Sequence, residues 1–335
     1  MLQAPASATN KTVTSSVCSG RRVANSVRHR RIASLAALTS LVVGLTGSPQ
    51  LSQGKPLTSP DILVLGDSQL SFGAGAELLA FFKTIAERCA RSVANGSVLA
   101  DVQRARITLI GTRSTSLQSW VTTKGAAWRQ MCRKDPKWGV NASIWGHLKP
   151  AKRTYVQIGE EPHFQFCHRG ETPLQALFRR EGYEPKLVVF NLLGNGASRW
   201  ANSPSAAVRD AKALADQLPP SVRCVYMTTM PHYKAKYNRT RLRAQRNIET
   251  AFSDQGGRCT FVRGLSPQTI QAVQGNQRFF RTRKSGTVKD PFHPNKAATR
   301  KVLALNGPAL CRAIATEFGK GMVATKAREP SSKPM

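Results

Sequence analysis

The chain has 335 residues, with 50 Lys and Arg against 18 Asp and Glu, a formal net charge of +32 and a pI near 10.9. At 41% hydrophobic and 20% charged it is too apolar for a disordered polycation, and long enough for one large domain or two small ones. It has no glycine period, heptad run or series of long apolar spans, which excludes a collagen, a coiled coil and a polytopic membrane protein. The charge points to an anionic partner or surrounding without choosing which polyanion.

The first 60 residues contain seven cations and no acid. Five of the cations, Arg21, Arg22, Arg28, Arg30 and Arg31, precede an uncharged stretch, residues 32–46, and small residues follow it. A cationic stretch, a short apolar core and then small residues is the order of a secretory signal, so residues 1–48 read as a leader and 49–60 as a linker. Fifteen residues at about 1.5 Å each fall short of a hydrocarbon core roughly 30 Å thick. The expected location is therefore periplasmic or extracellular, with no stable membrane span after processing. An uncleaved N-terminal anchor is the next reading, and a transit peptide or a buried helix competes with it. Beyond the leader stand six cysteines: Cys89, Cys132, Cys167, Cys224, Cys259 and Cys311. An even number without a C-x-x-C pair favours disulfides over zinc, with buried reduced thiols as the alternative. Cys224 and Cys259 each open a strand-like run and form the best candidate pair.

From residue 61 the pattern alternates. Continuous apolar runs at 62–65, 107–110, 186–193, 222–227 and 259–262 read as strands, and helical periodicity covers 77–90, 205–217, 240–252 and 295–318. Buried strands separated by amphipathic helices predict a parallel sheet covered on both faces. Residues 112–184 break this rhythm as a large insertion after the second strand, holding Trp120, Trp128, Trp138 and Trp145. It is expected beside the carboxyl ends of the strands, where such folds place their sites. The tail from 319 to 335 is Lys-, Pro- and Ser-rich and reads as disordered.

The residues that carry chemistry fall at strand ends. Gly66-Asp67-Ser68-Gln69 closes the first strand, where a serine can stand at a helix N-terminus among free backbone N–H groups; the plain alternative is a helix N-cap. Gly111 is expected just after the second strand. Gly194-Asn195 follows the third, and an Asn amide with a Gly N–H suits a tetrahedral oxyanion. Asp290 and His293, in Asp290-Pro291-Phe292-His293, precede the last helix. That spacing can bring them together, the His taking a serine proton and the Asp holding its tautomer. A helix-start turn is the alternative.

In combination these residues resemble the SGNH/GDSL hydrolase family, over about residues 62–318. Ser68 matches the nucleophile, Gly111 the second-block glycine, Asn195 the third-block asparagine, and Asp290 with His293 the C-terminal Asp-x-x-His. The resemblance implies a flavodoxin-like three-layer α/β/α domain, residues 61–318, with a central parallel sheet of about five strands. It implies ester hydrolysis through an acyl-Ser68 intermediate, an oxyanion hole from the Ser68 N–H, the Gly111 N–H and the Asn195 side chain, and no metal or cofactor. Three departures are present. Gln69 replaces the leucine of the family's name, Gly196 follows Asn195 where many relatives have Asp, and no glycine occurs in the 295–300 segment.

Arg113 is a candidate grip for an anionic substrate and Trp120 for stacking on a sugar; a solvated Arg and a packed Trp are the alternatives. The cluster of His163, Cys167 and His168 reads as a disulfide or a plain surface group. The leading expectation is an exported serine esterase removing an acyl group, acetyl first, from an acylated carbohydrate or small ester, with an anionic envelope polymer as a further partner. A non-catalytic module binding acidic polysaccharide or another polyanion on the same fold is the alternative. No nucleic-acid signature is present, so nucleic acid is not an expected partner.

Overall fold

The computed structural model describes residues 59–132, 142–151, 154–159 and 161–326. The leader expected at 1–48 and nearly all of the linker lie outside these residues. Described residues belong to the unit Ser52–Met335. Its main sheet has seven strands: β1 (Ile62–Gly66), β2 (Ile107–Thr112), β3 (Ala142–Gly146), β4 (Tyr155–Val156), β5 (Leu187–Asn191), β6 (Arg223–Met227) and β7 (Thr260–Val262). They lie in the order β4-β3-β2-β1-β5-β6-β7.

β2, β1, β5, β6 and β7 are all parallel. Numbered among themselves, these five run 2-1-3-4-5, the flavodoxin-like order. The five expected strands are therefore present, and the sheet is wider than expected because the insertion adds β3 and β4 as an antiparallel edge beyond β2.

Between the strands lie α1 (Gly75–Lys83), α2 (Ile85–Cys89), α3 (Gly96–Arg104), α4 (Leu117–Val121), α5 (Gly125–Cys132), α6 (Pro173–Arg179), α7 (Ala197–Asn202), α8 (Pro204–Gln217), α9 (Ala235–Asp254), α10 (Pro267–Val273) and α11 (Lys296–Lys326). Strand side chains alternate between two separate cores. Leu63, Leu65, Val188 and Phe190 join the core under α4 and α6–α9. Ile62, Val64, Leu187 and Val189 join the core under α1–α3, α10 and α11. Every residue of β1 and β5 is buried, so each strand contributes to both layers, at about 1.5–3 kcal/mol per large aliphatic. That is the physical content of an apolar run without alternation.

The single helix expected over 77–90 is broken at Thr84 (φ −121°) into α1 and α2. α11 runs eight residues past the expected end at Phe318, so 319–326 is helical. A Cβ on Gly321 would lie 2.7 Å from the Lys186 carbonyl oxygen, so this glycine permits close helix–sheet approach and does not end the helix.

Three disulfides join Cys89 to Cys311, Cys132 to Cys167 and Cys224 to Cys259. The last is the pair expected from sequence. The β6–β7 register sets Val225 opposite Thr260, which brings the preceding cysteines side by side. The first ties α2 to α11 on one face of the sheet. Three disulfides fit an exported protein. No helix among the described residues is long and apolar enough to cross a membrane.

Candidate active site

β1 and β5 are neighbours from which the chain leaves toward opposite sides of the sheet, and a crevice opens there at their carboxyl ends. Gly66 closes β1 with Gly111 of β2 on one side and Asn191 of β5 on the other. A Cβ at Gly66 would strike Leu70 at 2.7 Å, so the chain turns sharply here only with glycine. Asp67 then starts a helical turn: its carbonyl accepts from the Ser71 N–H (3.2 Å) and its carboxylate from the Gln69 N–H (2.8 Å). Ser68 stands at the first position of that turn, where the backbone N–H has no intrahelical acceptor.

From the far end of the chain, β8 (Phe280–Thr282) and β9 (Val288–Pro294) form a hairpin that brings Asp290 and His293 to Ser68. His293 Nε2 lies 2.9 Å from Ser68 Oγ, and His293 Nδ1 lies 2.7 Å from Asp290 Oδ2. The other carboxylate oxygen of Asp290 accepts from the Phe292 and His293 N–H groups at 3.0 and 3.2 Å. Burial pushes the Asp290 carboxyl up, but the His293 hydrogen bond and charge, with the two backbone donors, outweigh it and hold the group below its ordinary range. An ionised Asp290 accepting from Nδ1–H leaves Nε2 unprotonated and facing the serine hydroxyl. That arrangement can accept the Ser68 proton.

The cleft in front of Ser68 holds about 750 Å³. Asn195 lines it, in the 3-10 turn Gly194–Gly196. One of its amide hydrogens goes to the Thr115 carbonyl (2.8 Å), which fixes the side chain and leaves the other hydrogen without a partner among the described residues. Gly111 does not reach the cleft. β2 continues through Thr112, so Gly111 lies inside the strand, and a Cβ there would meet the Ser71 backbone nitrogen at 2.6 Å. Beyond the end of the strand Ser114 lines the cleft, in the left-handed region at φ 59°, an uncommon backbone for a residue with a side chain.

Arg113 also lines the cleft, with its guanidinium over the Phe72 ring (4.8 Å) and the Tyr155 ring (5.4 Å). Trp120 does not. It is fully buried in α4 and stacks on Phe166 at 5.7 Å, so it belongs to the core and not to a sugar platform. The aromatics at the mouth are Phe72, Tyr237 and Phe292, all exposed. Cys167 is in a disulfide with Cys132, the first of the two readings of the 163–168 segment.

Gln69 acts as a clamp. Its carbonyl accepts from the Met230 N–H (2.9 Å), and its amide donates to the carbonyls of Met230 (3.3 Å) and Phe292 (3.1 Å). It therefore joins the nucleophile turn to the Asp290–His293 strand, which a leucine cannot do.

Beneath them Asp67 is buried, and desolvation raises its pKa to about 6 against the lowering effect of the Gln69 N–H, the Arg241 charge and the Gly194 N–H. Arg241 is buried beside it and donates to the Met230 carbonyl (2.9 Å), with desolvation lowering its pKa to about 10. His232 is fully buried, and its Nδ1 accepts from the Lys234 N–H (2.8 Å). Burial, then the Arg241 and Lys234 charges, bring its pKa down to about 4, so the ring is neutral with its proton on Nε2. That nitrogen has no partner among the described residues.

Sequence reasoning did not find Ser114, His232, Arg241, Arg281 or the three mouth aromatics; only the φ of Ser114 marks it, and φ is not visible in a sequence.

No protein-family model matches the chain, and no curated protein does. Among solved structures it is similar to "a putative SGNH hydrolase" from Slackia heliotrinireducens, at 15% identity over 76% of this chain and 99% of that one, with a TM-score of 0.39. It is also similar to BT4096, a gut microbial diltiazem-metabolizing enzyme, at 12% identity over 79% of this chain and 48% of that one, with a TM-score of 0.39. A DUF4886 family protein from Bacteroides uniformis ATCC 8492 gives 12% identity over 82% and 96%, with a TM-score of 0.38. These are likenesses of fold at low identity, and the reading of the site rests on this chain's own side chains.

Proposed function

We propose that the chain is an exported serine ester hydrolase of the SGNH type, acting on an acyl ester, acetyl first, of an extracellular or envelope glycan. The observation that carries the chemistry is the continuous relay Asp290–His293–Ser68, at 2.7 and 2.9 Å. In the reaction His293 Nε2 takes the Ser68 proton as Oγ attacks the ester carbonyl, and Asp290 stabilises the imidazolium. The oxyanion is met by the Ser68 N–H and the free Asn195 amide hydrogen. The third donor, which the family resemblance gives to Gly111, is in this reading the Ser114 backbone, since Ser114 and not Gly111 lines the cleft. Collapse of the tetrahedral intermediate expels the alcohol, which takes the proton from His293, and leaves acyl-Ser68. Water then attacks the acyl carbon with His293 as base, releasing the acid and restoring the hydroxyl.

The glycan is supported by the aromatic mouth and by the three disulfides, which fit export. The test is hydrolysis of p-nitrophenyl acetate by the purified protein and by Ser68→Ala. Loss of turnover in the variant is expected; equal rates would refute the catalytic reading and leave the polyanion-binding module.

A further inference from the structure

Some cations away from the cleft pair with acids: Arg106 and Lys186 with Asp61, Arg180 with Glu171, Lys212 with Asp216, Arg263 with Glu249 and Arg300 with Glu77. Beside the cleft mouth an acid-free run of cations is gathered on one helix. The first fourteen residues of α9, 235–248, contain five cations and no acid. Lys236, Arg239, Arg243 and Arg246 recur at spacings of three, four and three, which puts them on one helix face over ~15 Å. All four are exposed, and none forms a salt bridge among the described residues.

Together with Thr240 and Leu242, these four cations line an open groove of about 570 Å³. Thr240 also lines the Ser68 cleft, so the groove and the cleft meet at that residue. The β8–β9 hairpin supplies Arg281, which also lines the cleft, and carries Arg283, Lys284 and Lys289 along the same hairpin. Among the described residues the acids lining the cleft are Asp290, engaged by His293, and the buried Asp67.

We infer that this strip is the binding track for an acyl-bearing, polyanionic polysaccharide, a chain of the polyuronate class that crosses the Ser68 mouth from the β8–β9 hairpin onto α9. The inference rests on the esterase reading for the identity of the cleaved bond. Phe72, Tyr237 and Phe292, at 45%, 38% and 46% exposure, interleave apolar ring faces with the cations. Spaced cations with rings between them suit a chain of sugar rings carrying one carboxylate each. A nucleic acid would satisfy the cations and the rings, but its backbone offers no carboxylic ester to Ser68. His232, whose buried Nε2–H has no partner among the described residues, also lines the cleft.

Two measurements test this. First, polygalacturonate, neutral dextran and single-stranded oligo(dT) are titrated into Ser68→Ala, and into the same protein carrying Arg239→Gln, Arg243→Gln and Arg246→Gln. Second, turnover of O-acetylated polygalacturonate and of p-nitrophenyl acetate is compared between the wild type and the triple Gln variant. The three arginines are exposed on a helix and Gln keeps helix propensity, so the fold is retained. The expected result is salt-sensitive binding of polygalacturonate and none of dextran, with the triple variant raising KM for the acetylated polyuronate about tenfold. Its p-nitrophenyl acetate rate should stay within about twofold, because these arginines do not line the cleft. An unchanged KM, or tighter binding of oligo(dT) than of polygalacturonate, overturns the proposal. If the wild type cleaves neither ester, the esterase reading fails by itself, and the binding titration still decides whether the track exists.

Discussion

Asp290→Asn is a demanding perturbation because the structure dictates how the new amide must sit. One carboxylate oxygen of Asp290 accepts from two backbone N–H groups, those of Phe292 and His293. Only the oxygen of an asparagine can take that place, so its NH2 is forced into the position 2.7 Å from His293 Nδ1. A donor there requires Nδ1 to be an acceptor, which moves the ring proton to Nε2, facing Ser68. The ring then holds the wrong tautomer to accept the serine proton. The turnover expected is about 10³- to 10⁴-fold lower, equivalent to about 4–5.5 kcal/mol of transition-state stabilisation. The turn keeps both backbone hydrogen bonds, so stability should change by less than about 1 kcal/mol. The assay is kcat on p-nitrophenyl acetate, with urea unfolding as the control. A folded variant that loses less than about tenfold in kcat would refute the role given to Asp290.

Gln69→Leu removes the clamp and strands the Met230 N–H and the Phe292 carbonyl. Urea melts should show a loss of roughly 2–4 kcal/mol and kcat should fall about 10- to 100-fold; unimpaired turnover would show that the clamp does not position His293. Asp67 has its folded pKa raised by burial to about 6, above its ordinary 3.8. The folded state therefore holds the proton more tightly, a stabilisation fully present below about pH 4 and lost as pH rises through about 6. Asp67→Asn should flatten stability across that window by up to about 3 kcal/mol in urea melts, and an unaltered pH slope would contradict the assignment. Among the disulfides, Cys89–Cys311 spans 222 residues and Cys132–Cys167 spans 35. Loop-closure entropy then makes removal of the first, by paired Ser substitutions, the costlier by about 1.6 kcal/mol, and denaturant midpoints in the reverse order would count against this.

Ser68, Asp290 and His293 were legible because each lies in a short motif beside a strand or hairpin end, where local spacing already limits geometry. The five parallel strands were legible because strands buried on both faces leave unbroken apolar runs. β3 and β4 were not, since Ala142–Gly146 carries a Ser, a Trp and a Gly, and Tyr155–Val156 is only two residues long. Gly111 was misplaced by the resolution of a strand end: β2 extends two residues past the apolar run 107–110, and the cleft belongs to Arg113 and Ser114. Trp120 stayed open between a sugar platform and a packed ring because burial depends on where the insertion folds back, and it folds onto Phe166. The mouth itself is assembled from Phe72, Tyr237 and Phe292, whose separation along the chain hides their common location.

Covalent capture of the nucleophile tests the central claim most directly. The protein is treated with a fluorophosphonate that reacts only with an activated serine, digested, and the modified peptide identified by mass spectrometry. The account predicts a single adduct on Ser68 that is lost in His293→Ala. No adduct, or labelling of another serine that is indifferent to His293, would contradict it.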